Sequence, residues 1–392
     1  MSAITKNKQA TWFRINPEYT KYAHGILLAF VIYVFSEAIN QFVGIQLLGL
    51  KKSPISTVMI AIILGLILGN IYNIGDIFKP GINFSLKYIL RAGIICLGVR
   101  LSFADVVKYG SLSIPLVIVC IIAAFVIIRI LIKYLNISEK MAYLIAIGTA
   151  ICGATAIVAT APVIDAKKGE ITYAIANITI FGILAMFLYP YFVHYFYLND
   201  SQSAGLFLGT AIHETAQVAG AGLIYDQQYS DPQVLEISTI TKLVRNTFLI
   251  VMIPLIAFFY SRGQKDQKSY SITKIFPYFI LGFLAMVTAR TLGDELFLLG
   301  DGYSLVRDGI FEDSIFIADQ AWTSTISFIK SSASVFLSMA MASLGLATKF
   351  SELKNLGFKP MIVGLTAAIT VGVVSIITLE IFQKVYFLYL LN

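Results

Sequence analysis

Charge is what this sequence has least of. Of 392 residues only 13% are charged and 58% are hydrophobic, with a mean hydropathy of +0.81. Soluble globular domains carry about 25% charged residues, so this composition excludes a soluble fold. Cysteine is scarce too. Cys96, Cys120 and Cys152 all fall in apolar stretches, which excludes a disulfide framework or a Cys/His zinc set and leaves them as small buried hydrophobes. There is no GxxxxGKS loop and no GxGxxG in a strand-helix context, so ATP-driven transport would need a partner chain, and no cofactor is expected. The basic start MSAITKNKQATWFRINPEYTKY is not followed by a short apolar region with a small-residue cleavage site, so the first apolar segment is expected to stay as an anchor.

What the chain does have is long apolar runs. Eleven approach the roughly 20 residues that span a bilayer: 23–43, 57–74, 82–102, 113–135, 141–165, 171–197, 203–225, 235–260, 274–292, 323–347 and 360–390. The expected fold is all-α and polytopic, with a tail over 1–22 and a single transmembrane domain over 23–392. The net charge of +7 would suggest nucleic acid in a soluble protein. Here the basic residues sit at segment ends, where they hold loops in the cytoplasm, so lipid is an expected partner and nucleic acid is not. The sequence leaves room for a homodimer.

Orientation follows from the same bias. The N-terminal tail, 129–140, 262–274 and 349–359 are basic, while 294–319 is acidic with Arg307 its only basic residue. This predicts a multi-pass membrane protein with a cytoplasmic N-terminus and an external C-terminus; Lys51-Lys52 is the exception. The loop Asp165-Ala166-Lys167-Lys168-Gly169-Glu170 offers two answers. It lies outside if all eleven segments span, and in the cytoplasm if 141–165 and 203–225 enter and return as hairpins.

Those two segments carry the candidate chemistry. Gly148–Ile151 reads GTAI and continues CGATAIVATAP; Gly209–Gly222 reads GTAIHETAQVAGAG. Gly-interrupted apolar pairs of this kind point to a binding site built from discontinuous helices. A second internal match sets CLGVRLSFADVVKYG, from Cys96, against SLGLATKFSELKNLG, from Ser343, in segments of opposite direction, which suggests an inverted repeat. The motif order is LG, GTAI, GTAI, LG, not that of a simple duplication.

HETAQ is one ligand short of the zinc motif HExxH, since Gln217 holds the fifth position. Ionisable residues in a membrane segment cost about 2.5–3.5 kcal/mol and persist mainly where they meet water, partners or substrate. Glu214 is therefore expected to carry a proton or pair with a cation, beside His213 and Gln217; a buried His-Glu lock is the structural alternative. Thr149, Gly153, Thr155, Thr210 and Thr215 line a site or pack helices. Lys242 and Arg245, three apart on one helix face, with Arg91 and Lys330, either pair with Glu214 or Asp165 or line an anion path. Lys87 and Arg100 are expected to snorkel to the interface. Asn177 and Asn246 are buried amides serving as helix glue or ion ligands.

The stretches GTAICGATAIVATAPV (148–163), GTAIHETAQVAGAG (209–222), KLVRN (242–246) and NFSLKYILRAGIICLGVRLSFAD (83–105), in that arrangement, resemble the bacterial membrane family labelled sulfate exporters, UPF0324 or YeiH-like. The likeness covers nearly the whole chain beyond the first segment. It implies a secondary transporter distantly related to the cation/proton antiporter and bile-acid symporter superfamily, with discontinuous helices that cross near the membrane centre and an anionic substrate.

The expected function is thus secondary transport, not enzymatic catalysis. A small anion resembling sulfate or a sulfonate would move by alternating access, outward as the resemblance to exporters implies, with Glu214 coupling a proton or cation. A membrane-embedded enzyme would instead turn over substrate without compartments. A channel or sensor would show far higher flux, or none.

Overall fold

The computed structural model describes residues 17–47, 53, 55–135, 137–198, 200–261, 277–297, 312–349, 351 and 358–390. The tail 1–16, Lys51-Lys52, 262–276, most of the acidic loop (298–311) and 391–392 lie outside them. The described residues are helical, with no strand among them. In order they are α1 (Pro17–Gln41), α2 (Thr57–Ile71), α3 (Lys79–Phe84), α4 (Leu90–Leu97), α5 (Phe103–Leu135), α6 (Glu139–Ala150), α7 (Ala154–Thr160), α8 (Lys168–Phe196), α9 (Ser201–Ala211), α10 (Thr215–Tyr229), α11 (Pro232–Thr247), α12 (Leu249–Ser261), α13 (Phe279–Phe297), α14 (Glu312–Ala347) and α15 (Phe358–Leu390). A π-turn at Ser85–Ile89 joins α3 to α4, making one rod, Lys79–Arg100.

Seven helical stretches among the described residues are long and apolar enough to cross a membrane: Thr20–Gln41, Lys79–Arg100, Phe103–Leu135, Lys168–Phe196, Pro232–Ile256, Gln320–Ala347 and Lys359–Lys384. Eleven were expected, and the other four fall short for identifiable reasons. Helix α2 has 15 residues, about 22 Å at 1.5 Å per residue against a hydrocarbon core of about 30 Å. Helix α13 carries Arg290, Asp294 and Glu295. The remaining two segments are each broken in the middle, at 151–153 and 212–214.

Each broken segment starts and ends on the same side of the bundle. Ser138, before α6, donates to Glu170 in the first turn of α8, and Lys140 Nζ donates to the Asp165 carbonyl, 2.8 Å away. Ser201, opening α9, donates to Asp231 after α10 at 2.6 Å. Helices α6–α7 and α9–α10 are therefore two hairpins. The first ends where α8 begins and the second starts where α8 ends, so they enter from opposite ends of a helix about 43 Å long. Side-chain caps mark these turns: Asp200 accepts from the Ser203 amide, and Asp231, just ahead of Pro232, from that of Gln233, each satisfying an amide of the first helical turn.

The helices fall into two packing groups. Helices α1, α2, α3–α4, α13 and α14 pack together; the hairpins pack with α5, α8, α11, α12 and α15. In the first group α2 crosses α14 where Gly65 meets Gly345. A side chain on Gly345 would strike the Ile62 carbonyl, and one on Gly65 the carbonyl of Ala342. Close backbone approach through small residues is how membrane helices gain packing energy when lipid supplies no hydrophobic drive.

Candidate functional site

The two hairpins meet tip to tip. In the first, α6 ends at Ala150 and the chain turns through Ile151 and Gly153, whose φ of +68° favours glycine. In the second, Ile212 and Glu214 are extended (ψ 142° and 146°) between α9 and α10. Each break leaves helix C-terminal carbonyls without intrahelical partners and a partial negative charge of about −0.5 per helix.

Lys242 and Arg245 on α11, both fully buried, supply the missing donors. Lys242 Nζ donates to the carbonyls of Ile151 (2.7 Å) and Ile212 (3.0 Å) and to that of His213. Arg245 donates through Nε to Ala150 (2.6 Å), through Nη1 to Thr210 (2.7 Å) and Ile212 (3.0 Å), and through Nη2 to Thr149. The two cations thus fasten both helix ends together and oppose their dipoles. Their i, i+3 spacing puts both on the face of α11 that meets the breaks.

Beyond the cations lie the helix starts. The Ala154 amide, opening α7, donates to Glu214 Oε1 at 3.2 Å. The Glu214 amide in turn donates to Gln217 Oε1 (3.2 Å), while Gln217 Nε2 donates to the Thr179 carbonyl of α8 (3.1 Å). Asn246 Nδ2 donates to Thr215 Oγ1 at 3.1 Å. These contacts hold the tip of the second hairpin against the first, against α8 and against α11. Glu214 forms no ion pair among the described residues.

A cavity of about 450 Å³ opens on the Glu214 side of the junction. Its inner wall is Cys152, Ala154, Thr155, Glu214, Thr215 and Ala216 from the hairpin tips. One side is a single face of α8, Thr172, Ile175, Ala176 and Thr179; the facing side is Leu86, Leu90 and the end of α14 through Thr348 and Lys349. It therefore lies between the two packing groups. Leu86 sits on the π-turn, a helix irregularity often found at functional sites. The cavity reaches from the breaks to exposed Thr172, at the end of the molecule bearing Lys140, Lys167 and Lys168. At the opposite end, Arg100 and Asp226 pair at 3.2 Å.

Most of the residues expected at a site converge here, in two layers. Thr155, Glu214 and Thr215 face the cavity. Thr149, Gly153, Thr210, His213, Gln217, Lys242, Arg245 and Asn246 form the junction behind it. Thr210 Oγ1 contacts Ser375 Oγ on α15 at 2.5 Å. His213 is 1% exposed, and its Nδ1 has no hydrogen-bond partner among the described residues. Arg91 stands apart, stacked over Phe279 with 5.6 Å to the ring centre. Asn177 acts as helix glue, donating to the Pro360 carbonyl at 2.7 Å. Arg100 does not snorkel: its side chain is 10% exposed and paired with Asp226. Lys330 lies near Glu236, Arg290 and Asp294, and Glu214 is not among its neighbours there.

Sequence reasoning passed over Thr172, Thr179, Thr348 and Lys349. The first two were findable, because 172, 175, 176 and 179 follow the i, i+3, i+4, i+7 spacing of one helix face. Lys349 belongs to the site only through the packing of α14 against the hairpins.

A family profile described as "Conserved hypothetical protein 698" matches residues 24–364. The UPF0324 membrane protein of Streptococcus agalactiae serotype V is 32% identical over 352 residues, covering 90% of this chain and 95% of the relative. That of Fusobacterium nucleatum is 30% identical over 357 residues (90% and 96%), and that of Clostridium tetani 30% over 370 (91% and 96%). No solved structure matches the chain. Matching the family profile over 24–364 and these relatives over 90% or more of its length, the chain belongs to the UPF0324 family of membrane proteins.

Proposed function

We propose that the protein is a secondary transporter of a small anion resembling sulfate or a sulfonate, working by alternating access in a bacterial inner membrane, with Glu214 coupling a proton or cation to substrate movement. The observation that carries this reading is the junction itself: two interrupted hairpins from opposite ends of the bundle meet beside a cavity that holds one carboxylate. Irregular backbone at membrane depth is tolerated where it lines such a protein-walled cavity.

Electrostatics supports an anion. Lys242 and Arg245 oppose the negative ends of α6 and α9, so the helix starts facing the cavity, above all that of the 15-residue α10, set a positive field there. Lys349 adds a cation at the wall. Glu214 occupies that field in the absence of substrate; on protonation it would leave its amide partner to an incoming anion.

An inverted repeat with permuted order accounts for the motif sequence LG, GTAI, GTAI, LG. Helices α2, α4, α5, the first hairpin and α8 correspond to α13, α14, α15, the second hairpin and α11, the last two having moved ahead of the other three. The packing supports the assignment. Helix α2 packs on α14 as α13 packs on α4, α5 on the first hairpin as α15 on the second, and α5 on α11 as α15 on α8. Gly98 of the first LG motif abuts the Phe283 carbonyl of α13, and Gly345 of the second abuts the Ile62 carbonyl of α2. By the charge rule the end bearing Lys133, Lys140, Lys167, Lys168 and Lys349 is cytoplasmic, so the cavity faces inward.

The test is flux of radiolabelled sulfate and small organic sulfonates into proteoliposomes under an imposed pH gradient. Gradient-dependent uptake that Glu214→Gln abolishes supports the proposal. Turnover of solute without a sealed compartment would replace it with an enzyme.

A further inference from the structure

A second concavity lies away from the hairpin junction. A groove of about 610 Å³ runs between α5 and α12 with α6 at its edge, walled by Ile121, Ile122, Phe125, Val126, Met252 and Leu255. Its polar end is formed by Arg129, Glu139 and Tyr143, and Lys133 follows Arg129 on the same helix, beside a smaller hollow that both line. Arg129 Nη1 donates to the Tyr143 hydroxyl at 3.4 Å. Neither Arg129 nor Lys133 forms an ion pair among the described residues, and both are exposed.

We propose that this groove binds an anionic phospholipid of the leaflet on the basic side, one acyl chain lying in the groove and the phosphate between Arg129 and Lys133. Depth is the first argument. Ile121 to Arg129 is eight residues of helix, about 12 Å, close to the roughly 15 Å of hydrocarbon in one leaflet. The groove therefore runs from the headgroup level toward the midplane, as a tail does. Charge is the second. Two cations face one carboxylate, Glu139, at the level of the lipid phosphates, and the basic patch is continuous with Lys140, whose Nζ already holds the turn after the first hairpin through the Asp165 carbonyl. Position is the third. Tyr143 belongs to α6, so a bound lipid touches the hairpin that carries the 151–153 break. The proposal stands independently of what is transported.

The experiment titrates the detergent-purified full-length protein with phosphatidylglycerol, and in parallel with phosphatidylcholine of the same chains, reading melting temperature and lipid adducts by native mass spectrometry. Saturable stabilisation by phosphatidylglycerol alone is expected. The double variant Arg129→Gln/Lys133→Gln should raise the half-saturating concentration about fivefold for each charge removed. Val126→Trp, which fills the apolar trough and keeps the cations, should abolish adduct retention. Equal effects of the two lipids, or an unchanged response of the charge variant, would overturn the proposal. So would disulfide cross-linking of Val126→Cys between two copies in native membranes, which would assign the groove to a dimer. The charge variant alters only exposed side chains, so it decides the matter even where Val126→Trp fails to fold.

Discussion

Glu214, at the tip of one hairpin, accepts a hydrogen bond from the amide of Ala154 at the tip of the other, 3.2 Å away. A single carboxylate thus joins the tips of the two interrupted hairpins. Its protonation state alters both the charge of the cavity and the bond between the hairpins.

Glu214→Gln is the direct check on coupling. The amide keeps an acceptor for the Ala154 N–H, so folding and expression should change little, by less than about 1 kcal/mol, the net worth of one hydrogen bond. Flux driven by a pH gradient should vanish. Undiminished gradient-driven flux in vesicles would remove Glu214 from the coupling step.

Lys242 and Arg245 lead to a different outcome from that expected of cations lining an open path. Lys242→Met leaves the Ile151 and His213 carbonyls without their donor, so it should destabilise the protein by about 2–4 kcal/mol. Arg245→Lys should also fail, because an ammonium cannot reproduce a planar fork that reaches four carbonyls. Melting temperature in detergent is the measurement; stable variants with weakened substrate affinity would mean that the two cations face the substrate after all.

Gly153→Ala should be disruptive despite its size. The position has φ +68°, and an added Cβ would strike Glu214 Cγ. Positive-φ backbone of this kind costs a non-glycine residue about 1–3 kcal/mol, and the clash displaces Glu214 from Ala154. Loss of flux with at least partial retention of fold is expected, read by uptake and by gel filtration.

Topology has a sharp test. In a background lacking Cys96, Cys120 and Cys152, Lys167→Cys should be protected from an impermeant maleimide in intact cells and labelled after permeabilisation, while Asp231→Cys labels directly. External labelling at 167 would contradict the hairpin arrangement.

The Arg100–Asp226 pair joins the end of the α4 rod to the second hairpin, on the side away from the cavity. If it holds that side shut, Arg100→Gln should let external maleimide reach Thr155→Cys in the cavity. Unchanged protection would leave the pair a purely structural clamp.

Apolar run length was enough to predict a polytopic helical protein, because bilayer thickness and the cost of buried charge act on composition alone. Pairs of GTAI motifs and the isolated His213-Glu214 located the junction because paired Gly-interrupted apolar segments mark discontinuous helices and ionisable residues, costly in a membrane helix, stand out. Whether 141–165 spans or returns was left open by hydropathy, since a hairpin and a spanning helix have the same composition. That was decided by contacts between residues distant in sequence, Ser138 with Glu170 and Ser201 with Asp231. The role of Lys242 and Arg245 was likewise a tertiary matter. Their spacing placed both on one face of α11, but only the packing of that face against two helix breaks could turn two cations expected to pair with a carboxylate or line an anion path into donors for six backbone carbonyls, because free carbonyls exist only once the helices are interrupted and brought together.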